Sequence, residues 1–105
     1  MTNIEIIHIF EDIFFEDDYV RTSRLHNPEF GVNKAGNTTV TLYGGLNGWG
    51  SWKDYLYDLY ELIEGLEANG VDGYIIEFSI DVLDDVFKVV IELRDLKELI
   101  KEKPE

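Results

Sequence analysis

YIIEFSIDVLDDVFKVVIEL, residues 74–93, decides the fold. Tyr74, Ile76, Phe78, Ile80 and Val82 alternate with Ile75, Glu77, Ser79 and Asp81, the period of a strand with one buried face. Phe87, Val89, Ile91 and Leu93 repeat the pattern. Leu83-Asp84-Asp85 is too short a junction for anything but a reversal, so the two runs predict an antiparallel hairpin.

Upstream, Ser51-x-x-Asp54 opens a helix in which Trp52, Leu56, Leu59, Ile63 and Leu66 recur at helical spacing, and Asn69-Gly70 closes it. Downstream, Asp95-x-x-Glu98 caps a short last helix bearing Leu96, Leu99 and Ile100 before Pro104. At the start of the chain, Thr2-x-x-Glu5 is a capping box. The helix it predicts gathers Ile6, Ile7, Phe10, Ile13 and Phe14 on one face, and Glu5, His8, Glu11, Asp12 and Glu16 on the other. A strand through IEIIHIF competes with that reading, since isoleucine is β-branched. Residues 19–25 read as a strand broken by the Asn27-Pro28 turn signal, residues 37–43 as its partner, and residues 34–37 as the turn between them. The order is αββαββα. It predicts an α+β fold, a four-stranded and mainly antiparallel sheet with the helices packed on one face and the other face solvated and partly acidic. At 105 residues the chain reads as a single domain, 1–105.

Charge is the most informative property of the composition. Twenty-two acids against nine bases give a formal charge of -13, which steers cationic partners and argues against direct binding of nucleic acid, where Lys and Arg must neutralise phosphates. The acids are also segregated. Residues 54–85 hold ten acids and no Lys or Arg, and residues 11–18 hold five more acids. No apolar block reaches membrane-spanning length, no secretory signal is visible and cysteine is absent, so a cytoplasmic location is expected.

GGLNGWGSW, residues 44–52, is the one glycine-rich loop. It carries no G-K-[ST], its glycines are not spaced as G-x-G-x-x-G, and Gly45-Leu46-Asn47-Gly48 matches a phosphate-clamping GXXG but precedes a strongly acidic helix. Its glycines read as a chain reversal that points Trp52 into the core. Trp49 either folds back over the core edge or stands out as an interface anchor, a role in which tryptophan is enriched.

Catalytic and metal motifs fail in the same way. His8 and Asp12 form an i, i+4 pair with no further histidine to complete a metal site, and none of Ser23, Ser51 and Ser79 sits in a G-x-S-x-G elbow. The abundance of Asp and Glu makes any carboxylate pair uninformative, so the chain reads as non-enzymatic and no cofactor is implied.

The acid surface is what remains. On the central helix Asp54, Asp58, Glu61 and Glu64 form a polar arc with Tyr57 among them, and like charges at helical spacing repel unless a cation relieves them. Successive acids rise by about 5 Å, a periodic negative row that suits a groove built for phosphates. Asp54, Tyr57, Asp58, Glu61, Glu64, Trp49, Glu11, Asp12 and Glu16 are the expected partner-binding residues. The expected partner is a cationic protein, a nuclease or a nucleic-acid-binding complex, that the chain inhibits. In composition and size alone it resembles the acidic anti-restriction and anti-CRISPR proteins of phages and mobile elements. Two other readings stay open: an immunity protein that plugs a toxin nuclease, and a host domain with a small ligand in a sheet-face or Trp49 pocket.

Overall fold

The computed structural model describes residues 1–15, 25–45, 52–81, 83–84 and 86–102; the side chains of Asn27, Gly45, Trp52 and residues 100–102 lie outside that description. Its elements are α1 (Asn3–Phe14), β1 (His26–Val32), β2 (Thr38–Gly45), α2 (Trp52–Ala68), β3 (Val71–Asp81), β4 (Val86–Asp95) and α3 (Leu96–Glu102), in the expected order. The four strands form one antiparallel sheet in the order β1-β2-β4-β3, with the helices packed on it. Because β2 pairs with β4 and not with β3, the chain crosses over through α2 and the 74–93 hairpin returns to meet the first one.

Local chemistry sets each boundary. Thr2 Oγ1 accepts from the Glu5 amide at 3.2 Å and Glu5 Oε1 accepts from the Thr2 amide at 3.1 Å, so the capping box starts a helix and not a strand. Ile6, Phe10 and Phe14 are buried, and Ile7 and Ile13 half-buried, as the periodicity predicts. In the β1–β2 turn Asn33 Oδ1 accepts from the amides of Ala35 and Asn37, while Gly36 takes φ 84°, a left-handed conformation that suits glycine. Gly70, at φ 83°, ends α2 in the same manner. Asp81 Oδ1 accepts from the amides of Leu83 and Asp84 and so turns β3 into β4, and Asp95 Oδ1 takes the Lys97 amide at the start of α3.

Three expectations are corrected. The first strand is His26–Val32, which runs through Asn27-Pro28; residues 19–24 lie outside the described residues. Pro28 is accommodated because β1 is an outer strand and its register shifts between His26 and Glu29, where a missing amide breaks no regular ladder.

The second correction concerns β3, whose side chains do not keep one alternation. Ile75 pairs with Ile91 but Glu77 pairs with Val90, so Ile76 is an extra residue and the pattern changes phase there. Val71, Gly73, Ile75, Phe78 and Ile80 share the helix-covered side of the sheet, where their partners are Asp95, Leu93, Ile91, Val89 and Phe87; Asp72, Tyr74, Glu77, Ser79 and Asp81 share the other. Nor is one side buried. Only Val71 is fully buried in this strand, and every residue from Tyr74 to Asp81 is exposed. β3 is an outer strand of 11 residues, about 36 Å long, against about 25 Å for the 17 residues of α2, so the helix cannot cover it.

The third concerns the orientation of α2. Tyr55, Leu59, Leu62 and Leu66 are buried, Ile63 is half-buried and Leu56 is exposed. The inward arc is thus turned by about 50° from the one expected. Tyr55 explains the turn. Its ring stacks on Phe87 at 4.7 Å and 18°, directly over Gly44, where a Cβ would overlap the ring. Gly44 opens the glycine-rich loop, and its lack of a side chain seats an aromatic of the core. Phe10, Val40, Leu42, Val89, Ile91 and Leu93 complete that core.

Candidate functional site

Turning α2 redistributes the acids. Asp58 is carried inward to 6% exposure and Asp54 is half-buried, so neither stands on the open arc where the sequence placed them. Taking Tyr55 and Leu62 as the buried positions shifts the outward arc onto Tyr57, Tyr60, Glu61, Glu64 and Glu67, all exposed. Tyr60 and Glu67 were missed in the sequence reading. The signal that would have found them is the run Tyr55, Leu59, Leu62, Leu66, which has the same four-three-four spacing as the chosen run once tyrosine is counted as apolar.

The outer face is ordered by two i, i+4 pairs. Tyr57 precedes Glu61 by one turn and Tyr60 precedes Glu64, and the interaction of each phenol with that carboxylate, by hydrogen bonding first and charge second, pushes both above their ordinary 10.0. Both rings are themselves 60% or more exposed. Glu61, Glu64 and Glu67 rise by about 4.5 Å per step. Among the described residues no Lys or Arg lies within 4 Å of any of the three. Lys53 shares the helix at its first turn, about 12 Å along the axis from Glu61.

The open face of the sheet has the opposite character. Lys88 bonds Glu77 at 3.0 Å; Arg94 bonds Asp72 at 2.9 Å, reaches Glu92 at 3.5 Å and lies over the Tyr74 ring at 5.5 Å. Those two cations pair with three of the acids on that side. The expected solvated and partly acidic face is therefore partly compensated across β3 and β4, with Asp81 left without a basic partner among the described residues, and Glu61, Glu64 and Glu67 stand unpaired on the helical layer.

α1 adds to that layer. It packs beside α2, with Ile13 against Gly65, so residues opposite its buried arc also point away from the sheet. Asp12 and His8 are exposed there, whereas Glu11 is half-buried on the flank. Glu16 and Trp49 lie outside the described residues, as does the Trp52 side chain.

A second candidate is a cavity of about 300 Å³ lined by Ala35, Asn37, Arg94, Asp95, Glu98 and Leu99. It is small for a ligand site, and its charged lining is Asp95 and Glu98 beside Arg94, whose guanidinium is already engaged by Asp72 and Glu92. Asp95 is also committed: it holds the terminal amine of Met1 at 2.5 Å, which draws its carboxyl below the ordinary 3.8.

No family model, curated protein or solved structure matches this chain. The argument for function therefore stands on the site alone. Among the described residues, no helix is long and apolar enough to cross a membrane.

Proposed function

We propose that this chain is a non-enzymatic acidic binding protein that inhibits a nucleic-acid-binding enzyme or complex by occupying its cationic site. One observation carries the reading: the outer face of α2 presents Glu61, Glu64 and Glu67 without a basic neighbour among the described residues, while Lys88 and Arg94 are bound to acids of the sheet. A helix face that served only solubility would gain by mixing signs. Here the repulsion is retained, and two exposed tyrosines stand among the carboxylates. An exposed aromatic beside an ordered carboxylate gives a partner both an apolar contact and a charge to pair with, in the manner of bases and phosphates along a nucleic acid.

The test is capture of the partner from cells of the source, followed by affinity measurement with the parent and with a Glu61→Gln/Glu64→Gln/Glu67→Gln variant. The reading expects a partner that binds nucleic acid, loses that activity when the acidic protein is added, and binds the variant about 10- to 100-fold more weakly at low salt. A partner with no affinity for nucleic acid, or one that holds the variant as tightly as the parent, overturns it.

A further inference from the structure

Among the described residues β3 leaves one edge of the sheet unpaired and carries apolar side chains past the cover of the helices. Among the described residues it pairs only with β4. On its helix side Ile75, Phe78 and Ile80 remain exposed, and the flank of α2 beside them adds Leu56 and Tyr60, on the same side of the helix as Ile63, which packs on Gly73. These five residues are each 37–60% exposed and together present about two full side chains, roughly 400 Å² at about 200 Å² apiece. That is the size of the largest apolar patches on ordinary monomers, and such patches are often functional. On the other side of the same strand Glu77, Ser79 and Asp81 follow one another; Glu77 is bound to Lys88, and Asp81 has no basic partner among the described residues. The Ile76 bulge separates this segment from the rest of β3, leaving residues 77–81, about 17 Å of regular edge.

From these two rows we infer that the 77–81 edge of β3 accepts an extended segment of another protein by strand addition, and that this segment alternates apolar with basic residues. Every second side chain of an added strand falls beside Phe78 and Ile80 and must be apolar. The intervening ones fall beside Glu77, which an incoming base would share with Lys88, and beside unpaired Asp81, where Lys or Arg is complementary. A second copy of this chain fits badly. The two-fold pairing that uses the whole segment centres on Ser79 and sets Glu77 against Asp81 of the other copy twice over, between chains that each carry -13. This site shares Tyr60 with the outer face of α2 but goes beyond the function proposed for it.

The probe is a capped eight-residue peptide of alternating lysine and valine, tested on the full chain by amide NMR and hydrogen exchange beside two controls. One control is methylated on alternate backbone amides, prepared in both phases so that one version blocks whichever edge faces β3; the other replaces lysine with glutamate. The inference expects shifts and slowed exchange centred on residues 77–81. It expects affinity to fall roughly tenfold or more in one methylated phase, and the glutamate peptide not to bind. Equal binding of both methylated peptides and the parent peptide would mean adsorption by charge alone and overturns it. So do shifts confined to α2, absence of binding at millimolar peptide, or protection of residues 77–81 by self-association without peptide. The Glu61→Gln/Glu64→Gln/Glu67→Gln variant separates the two proposals: in it the shifts at residues 77–81 and the difference between the methylated phases persist even if the reading of α2 fails.

Discussion

Gly44→Ala places a methyl group where the Tyr55 ring lies, and the ring has nowhere to go. It stacks on Phe87, which is fully buried and meets Phe78 edge-on at 5.1 Å, while Gly44 and Phe87 are themselves paired across β2 and β4. Moving Tyr55 therefore moves α2 or opens the aromatic stack. Overpacking of this kind costs about 1–3 kcal/mol, partly offset by the roughly 0.5–1 kcal/mol that alanine gains over glycine in a strand. The net expectation is about 1–2 kcal/mol of destabilisation, or a fall in Tm of roughly 5–10 °C for a chain of this size. Urea denaturation followed by circular dichroism measures it. The double variant Gly44→Ala/Tyr55→Leu removes the clashing ring atoms, so the two substitutions should couple favourably by about 0.5 kcal/mol or more. If Gly44→Ala is as stable as the parent, Tyr55 is not seated on Gly44, and the orientation of α2 that fixes the outer acid face is wrong.

Asp58→Lys, at a buried position, is expected to lose about 2–3 kcal/mol in the same assay, whereas lysine at Glu61 or Glu64 changes stability by less than about 0.5 kcal/mol; equal effects at the three sites would contradict the rotation of the helix. The carboxyl of Asp95 is drawn below 3.8 chiefly by the Met1 amine, so its contribution is complete above that pH and is lost as pH falls through the lower folded value. Asp95→Asn should accordingly be less stable than the parent at pH 7, with the difference closing below about pH 4; a gap that persists at pH 2 speaks against the ion pair. Tyr57 and Tyr60 should ionise above 10.0 in an ultraviolet titration, and Glu61→Gln should bring Tyr57 down without moving Tyr60. A Tyr57 titration that is the same in both proteins removes that hydrogen bond.

Elements were legible in the sequence where a residue type has only one local use. The Thr2/Glu5 box, the left-handed Gly70 and the alternating run of β4 each named its structure, because each solves a backbone problem within a few residues. Orientation was not legible in the same way. Two arcs of α2 have equal helical spacing, and the choice between them is made by Gly44, eleven positions away from Tyr55 in sequence and reached only through the tertiary fold. The bulge at Ile76 was hidden for a different reason: it falls in the apolar run Tyr74-Ile75-Ile76, where no alternation marks which residue faces which side of the sheet. The acidic face was thus half visible. Tyr57, Glu61 and Glu64 stand where the spacing put them, while Asp58 exchanged places with Tyr60 and Glu67 as the helix turned.

The account depends most on negative charge gathered on the helical layer and offset on the sheet. Solvent paramagnetic relaxation with a matched pair of cationic and anionic cosolutes reports the local potential residue by residue, with no partner required. The most negative values are predicted at residues 57–67 of α2, and markedly weaker ones at residues 88–94 of β4, where Lys88 and Arg94 lie. Potentials of equal strength on the two faces would contradict it.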